Sequence, residues 1–390
     1  MADKAFITPK VLKWARESAK ISEEAAAGKV SVSIERLQEW ENGISQPTIR
    51  QAQALAKAYK RPFALLFLPE IPRDFQPLQD YRKADAKPLS TASIFIIREI
   101  QQKQAWIREI NEENGEDKLP FVGKYSLSDK PEIVAADILN TLDIDPLKYK
   151  SDTPIKEWID KVEAKGVFIS RTSFIHSKLK LDSEEIQGFA ISDPFAPFIF
   201  INSDDWQSAQ LFTLVHELAH IWIAETGLSN EIEIALDDKD KFHPVELFCN
   251  AVAANALMPA NFMKALETDV FKESRALFKI SKSIGVSSFA FLYRALNLNL
   301  IDVNTYKRLK KEADWEFKLF LKREEEKKAR KKERDGGPNP YLLRLNKNSK
   351  LFTQIVLDSF RNGIVEPTQA SFLLNTPVNK FSSLESQLYS

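Results

Sequence analysis

The sequence predicts an α+β protein that is predominantly helical, and three observations carry that expectation. Apolar residues recur at spacings of three and four along most of the chain, as they do on one face of a helix. Stretches with strand character are short and gather between residues 167 and 202. Only 11 of 390 residues are glycine, too few for the tight turns of an all-β chain. A chain of this length folds as two or three domains with sizeable cores.

Composition excludes several classes of function. Lys and Arg number 55 and Asp and Glu number 55, so no global basic field draws the chain to nucleic acid, and any such site is a local patch. The one cysteine forbids an internal disulfide. The opening residues MADKAFITPK lack an apolar signal core, and no apolar run approaches the roughly 18 residues of a membrane span. The expected protein is soluble and cytoplasmic, with no membrane contact.

Residues 1–70 read as a compact set of short helices. Ser22 precedes Glu23-Glu24-Ala25-Ala26-Ala27 and Ser33 precedes Ile34-Glu35-Arg36-Leu37, each placed as an N-cap. Leu37 and Trp40 face the core, and Asn42-Gly43 ends the third helix. With Pro47-Thr48 behind them, these residues resemble the Cro/CI (XRE)-type helix-turn-helix, whose third helix reads DNA. Ser33, Arg36 and Gln38 are then the candidate DNA-binding residues. Glu35 and Glu39 share that face and oppose phosphates, so the charge pattern favours docking to a protein over binding duplex DNA.

Residues 71–150 form a linker and helical region. The apolar run Phe63–Leu68 sits between Pro62 and Pro69 as a short helix docked on the first domain, and Ile71 to Pro77 is an extended linker. Residues 90–113 and 131–142 are helices, with Ile94, Ile97, Ile100, Trp106, Ile107 and Ile110 as core positions.

A third segment, residues 151–262, starts near Ser151. A helix from Ile155 to Ala164 stops at Lys165-Gly166. Strands follow at Val167–Ser170, Ile186–Ser192 and Pro197–Asn202, and Pro194 and Pro197 bracket a turn between the last two. This predicts a small three-stranded antiparallel sheet, with a free edge to which a substrate peptide can add as a further strand. His176 falls in the polar loop 172–185 as a solvated residue.

The most specific stretch is Phe212-Thr213-Leu214-Val215-His216-Glu217-Leu218-Ala219-His220-Ile221-Trp222. On a helix, His216 and His220 stand one turn apart on one face, about 6 Å along the axis, and can grip one metal ion. Glu217 leaves the helix about 100° away, flanking the metal without ligating it, as a general base for the attacking water must. The bland alternative is an amphipathic core helix with partly exposed histidines. A catalytic zinc takes three protein ligands, so a third donor decides between them. Glu246 is the best candidate, in the first turn of a helix that Pro244 starts and Pro259 ends. His243 is a competitor but stands outside that helix, before Pro244. Asn250, four residues beyond Glu246, is placed as a hydrogen-bond partner behind a ligand, and Cys249 as a buried thiol next to the site.

Together, His216-Glu217-Leu218-Ala219-His220 and Glu246-x-x-Cys249-Asn250-x-x-Ala253-Ala254-x-x-Leu257-Met258-Pro259 resemble the ImmA/IrrE family of zinc metallo-endopeptidases. The approach Gly188-Phe189-Ala190-Ile191-Ser192-Asp193, then Pro197–Asn202, fits as well. The resemblance implies a zincin-like fold, Zn2+ held by His216, His220 and Glu246, and Glu217 as catalytic base. It also implies a protein substrate, a transcriptional repressor or antitoxin, in stress, prophage or toxin-antitoxin regulation. The alternative is a non-cleaving DNA-binding regulator or toxin component with a structural zinc site.

Residues 263–390 are a C-terminal helical region. Residues 277–298 have a second helix-turn-helix rhythm, with Val286-Ser287 as turn and cap, read as scaffold. Lys307 to Asp335 is a solvated charged helix with Glu324–Lys328 and Glu326–Arg330 spaced for pairing, ended by Gly336-Gly337-Pro338. Residues 348–385 are expected to be a last helical pair, the second starting at Pro367.

Overall fold

The fold is given by a computed structural model that describes residues 3–72, 77–82, 87–150, 153–176, 179–229, 243–335 and 339–389, without the side chains of residues 268, 320 and 323–335. Ser151, the centre of the Ile71–Pro77 linker, the Glu324–Lys328 and Glu326–Arg330 side-chain pairs and the stop at Gly336-Gly337-Pro338 lie outside the described residues. The chain forms two compact units. One is built from Met1–Pro77, Lys87–Gln101 and Phe174–Leu181, the other from Leu78–Ala86, Gln102–Ser173 and Asp182–Ser390.

In the first unit, α1 (Pro9–Ser18), α2 (Glu23–Lys29), α3 (Ile34–Glu41) and α4 (Ile49–Ala58) make the helix-turn-helix. The Ser22 hydroxyl accepts from the Ala25 N–H at 3.2 Å and Ser33 from the Arg36 N–H at 3.3 Å, each satisfying a donor that the helix leaves free. Leu12, Leu37, Trp40, Leu55 and Tyr59 close the core. Gly43 follows α3 with φ +77°, a left-handed conformation that glycine adopts without a Cβ clash. Inside this core, the Arg16 guanidinium donates twice to the Glu41 carboxylate, at 2.8 Å each, with the two side chains 8% and 3% exposed. The apolar run becomes the 3-10 helix Phe63–Phe67, and the Leu66 carbonyl accepts from the Thr8 N–H at 2.8 Å.

Seven strands are described: β1 (Gln79–Asp80), β2 (Phe168–Thr172), β3 (Phe174–His176), β4 (Leu179–Lys180), β5 (Gly188–Ile191), β6 (Phe198–Asn202) and β7 (Gly227–Ser229). The short pair β3–β4 belongs to the first unit, so His176 stands exposed at the end of a strand and not in a loop. The other five form one sheet in the second unit, ordered β1-β7-β5-β6-β2. All three expected strands are present, but the sheet is mixed. β5 pairs antiparallel with β6 across the proline-bracketed turn, whereas β2 pairs parallel with β6, and β1 pairs parallel with β7. A hairpin rule fits only strands joined by a short turn, and β2 and β6, neighbours in the sheet, are separated in the chain by β5 and its connections. The two edge strands of the sheet are β1 and β2, and β1 pairs with no strand but β7 among the described residues. β1 occupies the outer side of β7, and on the opposite edge the Ser170 hydroxyl of β2 donates to the Lys347 carbonyl at 2.6 Å, where the helix Pro340–Asn348 packs.

Against this sheet lies α8 (Gln207–Trp222), buried at every position from Gln210 to Trp222 except Phe212. It is enclosed by α6 (Pro131–Leu142), α7 (Pro154–Glu163) and α9 (Pro244–Leu257). The long α5 (Thr91–Glu113) adds Trp106 and Ile107 to the buried interior. Beyond α9, Ser287 caps the helix Ser288–Asn297 by accepting from the Ala290 N–H at 3.0 Å. The expected pair is present as Lys350–Arg361 and Pro367–Leu373, the second starting at Pro367, with the helix Pro340–Asn348 before it and Phe381–Leu388 after it. Ser349, at φ +76°, breaks Pro340–Asn348 from Lys350–Arg361 and caps the latter through the Phe352 N–H. Asn375 at φ +48° and Pro377 end Pro367–Leu373. No helix among the described residues is long and apolar enough to cross a membrane.

Removing one partner of a buried ion pair leaves the other charge uncompensated, at a cost of about 3–5 kcal/mol. Glu41→Ala is therefore expected to lower the melting transition of the helix-turn-helix unit by that order. The exposed pair Arg36–Glu39 contributes little, so Arg36→Ala should melt like the parent protein in the same calorimetric scan.

Candidate metal centre

The site is assembled where α8 crosses α9. His216 and His220 project from one face of α8, with their Nε2 atoms 3.1 Å apart. Glu246, in the first turn of α9, brings Oε2 to 3.2 Å from His216 Nε2 and Oε1 to 3.2 Å from His220 Nε2. All three residues are buried. Ligand atoms about 2.0–2.1 Å from a tetrahedral zinc stand roughly 3.3 Å from one another, so this donor set fits zinc in chemistry and in spacing.

What surrounds the donors fixes how they present their lone pairs. Asn250 Oδ1 lies 2.9 Å from His216 Nδ1; a carbonyl oxygen can only accept, so the proton is on Nδ1 and Nε2 faces the centre bare. The Ser229 hydroxyl of β7 donates to Glu246 Oε1 at 3.3 Å. Burial works against a charged His216, but the Glu246 carboxylate outweighs it and raises the imidazole's pKa. Burial lowers that of His220. Burial also opposes a charged Glu246, yet the two histidines overcome it and bring its pKa down to about 2. Acid that protonates the ligating nitrogens or the carboxylate competes with a cation at this centre.

Glu217 points from the same helix but shares none of these bonds. Both of its carboxylate oxygens are buried without a hydrogen-bond partner among the described residues. Burial, assisted by the Glu246 charge, pushes its pKa up to about 8 against the pull of His216. The space for it comes from β5: a Cβ on Gly188 would lie 2.9 Å from Glu217 Oε1 and 2.6 Å from Thr213 Cγ2. Glycine lets the strand approach the helix this closely.

His243 is not among the donors. It caps α9, its Nδ1 accepting from the Val245 N–H at 3.3 Å, and is exposed. The Cys249 sulfur does lie with the two imidazoles, within 4.8 Å. Burial raises its pKa well above the usual thiol range, and the Glu246 and Glu217 charges add to this. The Glu246 carboxylate brings one oxygen to 3.2 Å from each imidazole, which makes it the better-placed third donor. Two contributors escape a reading of the sequence. Ser229 carries no motif, and Tyr81 lies in a polar stretch at residues 78–82. The Tyr81 ring stacks on His220 with centroids 5.7 Å apart at 19° and tilts against His243 at 4.9 Å and 39°.

In the helix-turn-helix, the candidate DNA contacts are engaged locally. Ser33 caps α3, Arg36 Nη1 pairs with Glu39 Oε2 at 2.5 Å, and Gln38 donates to Glu23 Oε2 at 2.7 Å.

A buried two-histidine, one-carboxylate cluster on crossed helices under a small mixed sheet is an arrangement that can hold a metal ion. Residues 162–296 match the peptidase family described as the IrrE N-terminal-like domain, and residues 12–66 match the helix-turn-helix family. The chain therefore carries an IrrE-like peptidase domain behind a helix-turn-helix. The radiation response metalloprotease IrrE of Deinococcus deserti is 31% identical over 102 residues, covering 26% of this chain and 36% of that protein. The protein of the same name from Deinococcus radiodurans is 32% identical over 102 residues, covering 26% and 31%. The chain spans about a third of the length of these curated relatives.

The unpaired Glu217 makes a testable demand on stability. Between its ordinary 4.5 and about 8, the folded chain keeps a proton on Glu217 that the unfolded chain releases, so this group's contribution to stability falls as pH rises. In chelator-treated protein, urea unfolding at pH 5 and pH 8 should show parent stability falling relative to Glu217→Gln, by roughly 4 kcal/mol at most.

Proposed function

We propose that this chain is a zinc-dependent endopeptidase that cleaves a protein partner. The observation that carries the reading is the convergence of His216, His220 and Glu246 at 3.1–3.2 Å beside the buried Glu217 carboxylate, which has no hydrogen-bond partner among the described residues. His216, His220 and Glu246 would hold the zinc. When bound, zinc supplies Lewis acidity, polarising the scissile carbonyl and easing ionisation of the attacking water. Glu217 takes the proton from that water and returns it to the leaving amine, a role supported by its buried place on the same helix as the two histidines. Asn250 and Ser229 orient two of the ligands.

The peptidase segment is proposed to begin near residue 151, with the helical region after residue 262 as its support. The partner is proposed to be a repressor or antitoxin, cut in the cytoplasm during a stress response. The name of the relatives, radiation response metalloproteases, favours that setting. A structural zinc site in a non-cleaving regulator has no use for Glu217, since a closed site is completed by its ligands alone. Glu217→Gln should keep zinc and lose cleavage of a co-expressed partner, read by fragment mass. Glu246→Ala should lose zinc by an order of magnitude or more in elemental analysis. Cleavage at the normal rate by Glu217→Gln would end the mechanism, and full zinc in Glu246→Ala would move the third ligand elsewhere.

For the helix-turn-helix we infer docking to a protein, supported by the local engagement of Arg36 and Gln38 and the acidic neighbours Glu35 and Glu39. Binding to duplexes from the protein's own upstream region should be weak across a salt series. A tight, sequence-selective, steeply salt-dependent complex lost in Arg36→Ala would restore operator binding.

A further inference from the structure

The two histidines of the centre are held differently. His216 has its Nδ1 fixed by Asn250, whereas His220 Nδ1 is buried with no hydrogen-bond partner among the described residues. A metal-ligating imidazole usually owes its orientation to a bond at the second nitrogen. What lies against His220 instead is a flat face, the ring of Tyr81, nearly parallel to the imidazole.

Tyr81 is itself tightly held. Its N–H donates to the Leu228 carbonyl at 3.2 Å, continuing the pairing of β1 with β7. Its hydroxyl donates to the Glu225 carboxylate. Arg82 grips Asp80 through two hydrogen bonds, at 2.8 and 2.7 Å, and reaches the Glu185 carbonyl at 3.3 Å. Most telling is Gly227, where a Cβ would fall 2.2 Å from Tyr81 Cδ2 and 2.3 Å from Cε2, so the strand leaves out a side chain where the ring sits. The result is a tyrosine 3% exposed at a place fixed from four directions.

We propose that Tyr81 is a positioning residue of the metal centre: its ring, seated on Gly227 and held by the pairing with β7, sets the plane of the His220 imidazole, whose Nδ1 no hydrogen bond fixes among the described residues. The inference rests on the zinc-site reading and extends it. The site is completed by β1 and the Tyr81 that follows it, outside the matched residues 162–296. Tyr81 touches a ligand and not the substrate, so it acts through His220.

The test uses the full chain and measures zinc affinity by chelator competition, with the visible spectrum of the cobalt(II)-loaded protein as a second readout. Tyr81→Ala and Tyr81→Leu should each weaken zinc about ten-fold or more, the range seen when partners behind a ligand are removed, and shift the cobalt bands. Leucine keeps apolar volume but has no flat face, so it remains informative if alanine does not fold. Gly227→Ala, which expels the ring without touching it, should reproduce both effects. Tyr81→Phe keeps the face and should stay within about two-fold of the parent protein, with its spectrum. Parent-like affinity and spectrum in Tyr81→Leu and Gly227→Ala would overturn the proposal. So would a Tyr81→Phe as weak as Tyr81→Leu, which would assign the effect to the hydroxyl and Glu225. A parent protein that binds neither zinc nor cobalt would instead overturn the zinc-site reading beneath it.

Discussion

The structure of the second unit depends on a buried meeting of charges. Two imidazoles and a carboxylate converge at hydrogen-bonding distance with almost no exposure, a placement that would be unfavourable were the groups not paired. Pairing requires α8 and α9 to cross at a fixed register, because a turn's slip on either helix would carry a ligand out of reach. The apolar surroundings hold that register. Leu214, Val215, Leu218 and Ile221 on α8 and Val245, Val252 and Ala256 on α9 are fully enclosed, and Phe121 stacks on Trp222 with centroids 4.4 Å apart. Packing therefore supplies the stability that lets the polar cluster persist, and the cluster supplies the chemistry.

Glu217 is the exception within that arrangement. Both of its oxygens, and not one atom as in Gln210 and His220 of the same helix, are buried without a hydrogen-bond partner among the described residues, and burial makes it hard to ionise. A fold selected for stability alone would replace it with an apolar residue of similar size. Strained or unsatisfied groups collect at functional sites, where the surrounding structure offsets the cost of keeping them. Gly188 belongs to the same arrangement, since any larger residue would push β5 away from the carboxylate or press the carboxylate out of place.

Much of this was legible in the residues. The spacing of His216 and His220 holds on any helix, and Pro244 marks the start of the helix that carries Glu246. The caps Ser22, Ser33 and Ser287 are local hydrogen bonds, so a local rule finds them. What escaped was long-range or too short to show a period. The direction of β2 depends on its crossing to β6, and β1 and β7, at two and three residues, lack enough alternation to stand out. Asn250 was readable from its spacing four residues beyond Glu246. Ser229 was not, because it reaches Glu246 from a strand with no motif of its own.

Tyr81 shows why a site can be wider than the segment that resembles a family. The matched residues, 162–296, contain every proposed ligand and the proposed base. They leave His220 with a bare Nδ1, and they leave β7 with an unfilled edge that residues 79–80 pair with. An unpaired strand edge exposes backbone donors and acceptors, so something must cover it. Here the covering strand also brings the ring that lies on the ligand, and one short segment serves both needs. Gly227 ties the two together, because the strand that accepts β1 also lacks the side chain that would exclude Tyr81. The backbone pairing and the ring contact thus depend on the same residue, and a change at Gly227 acts on both at once.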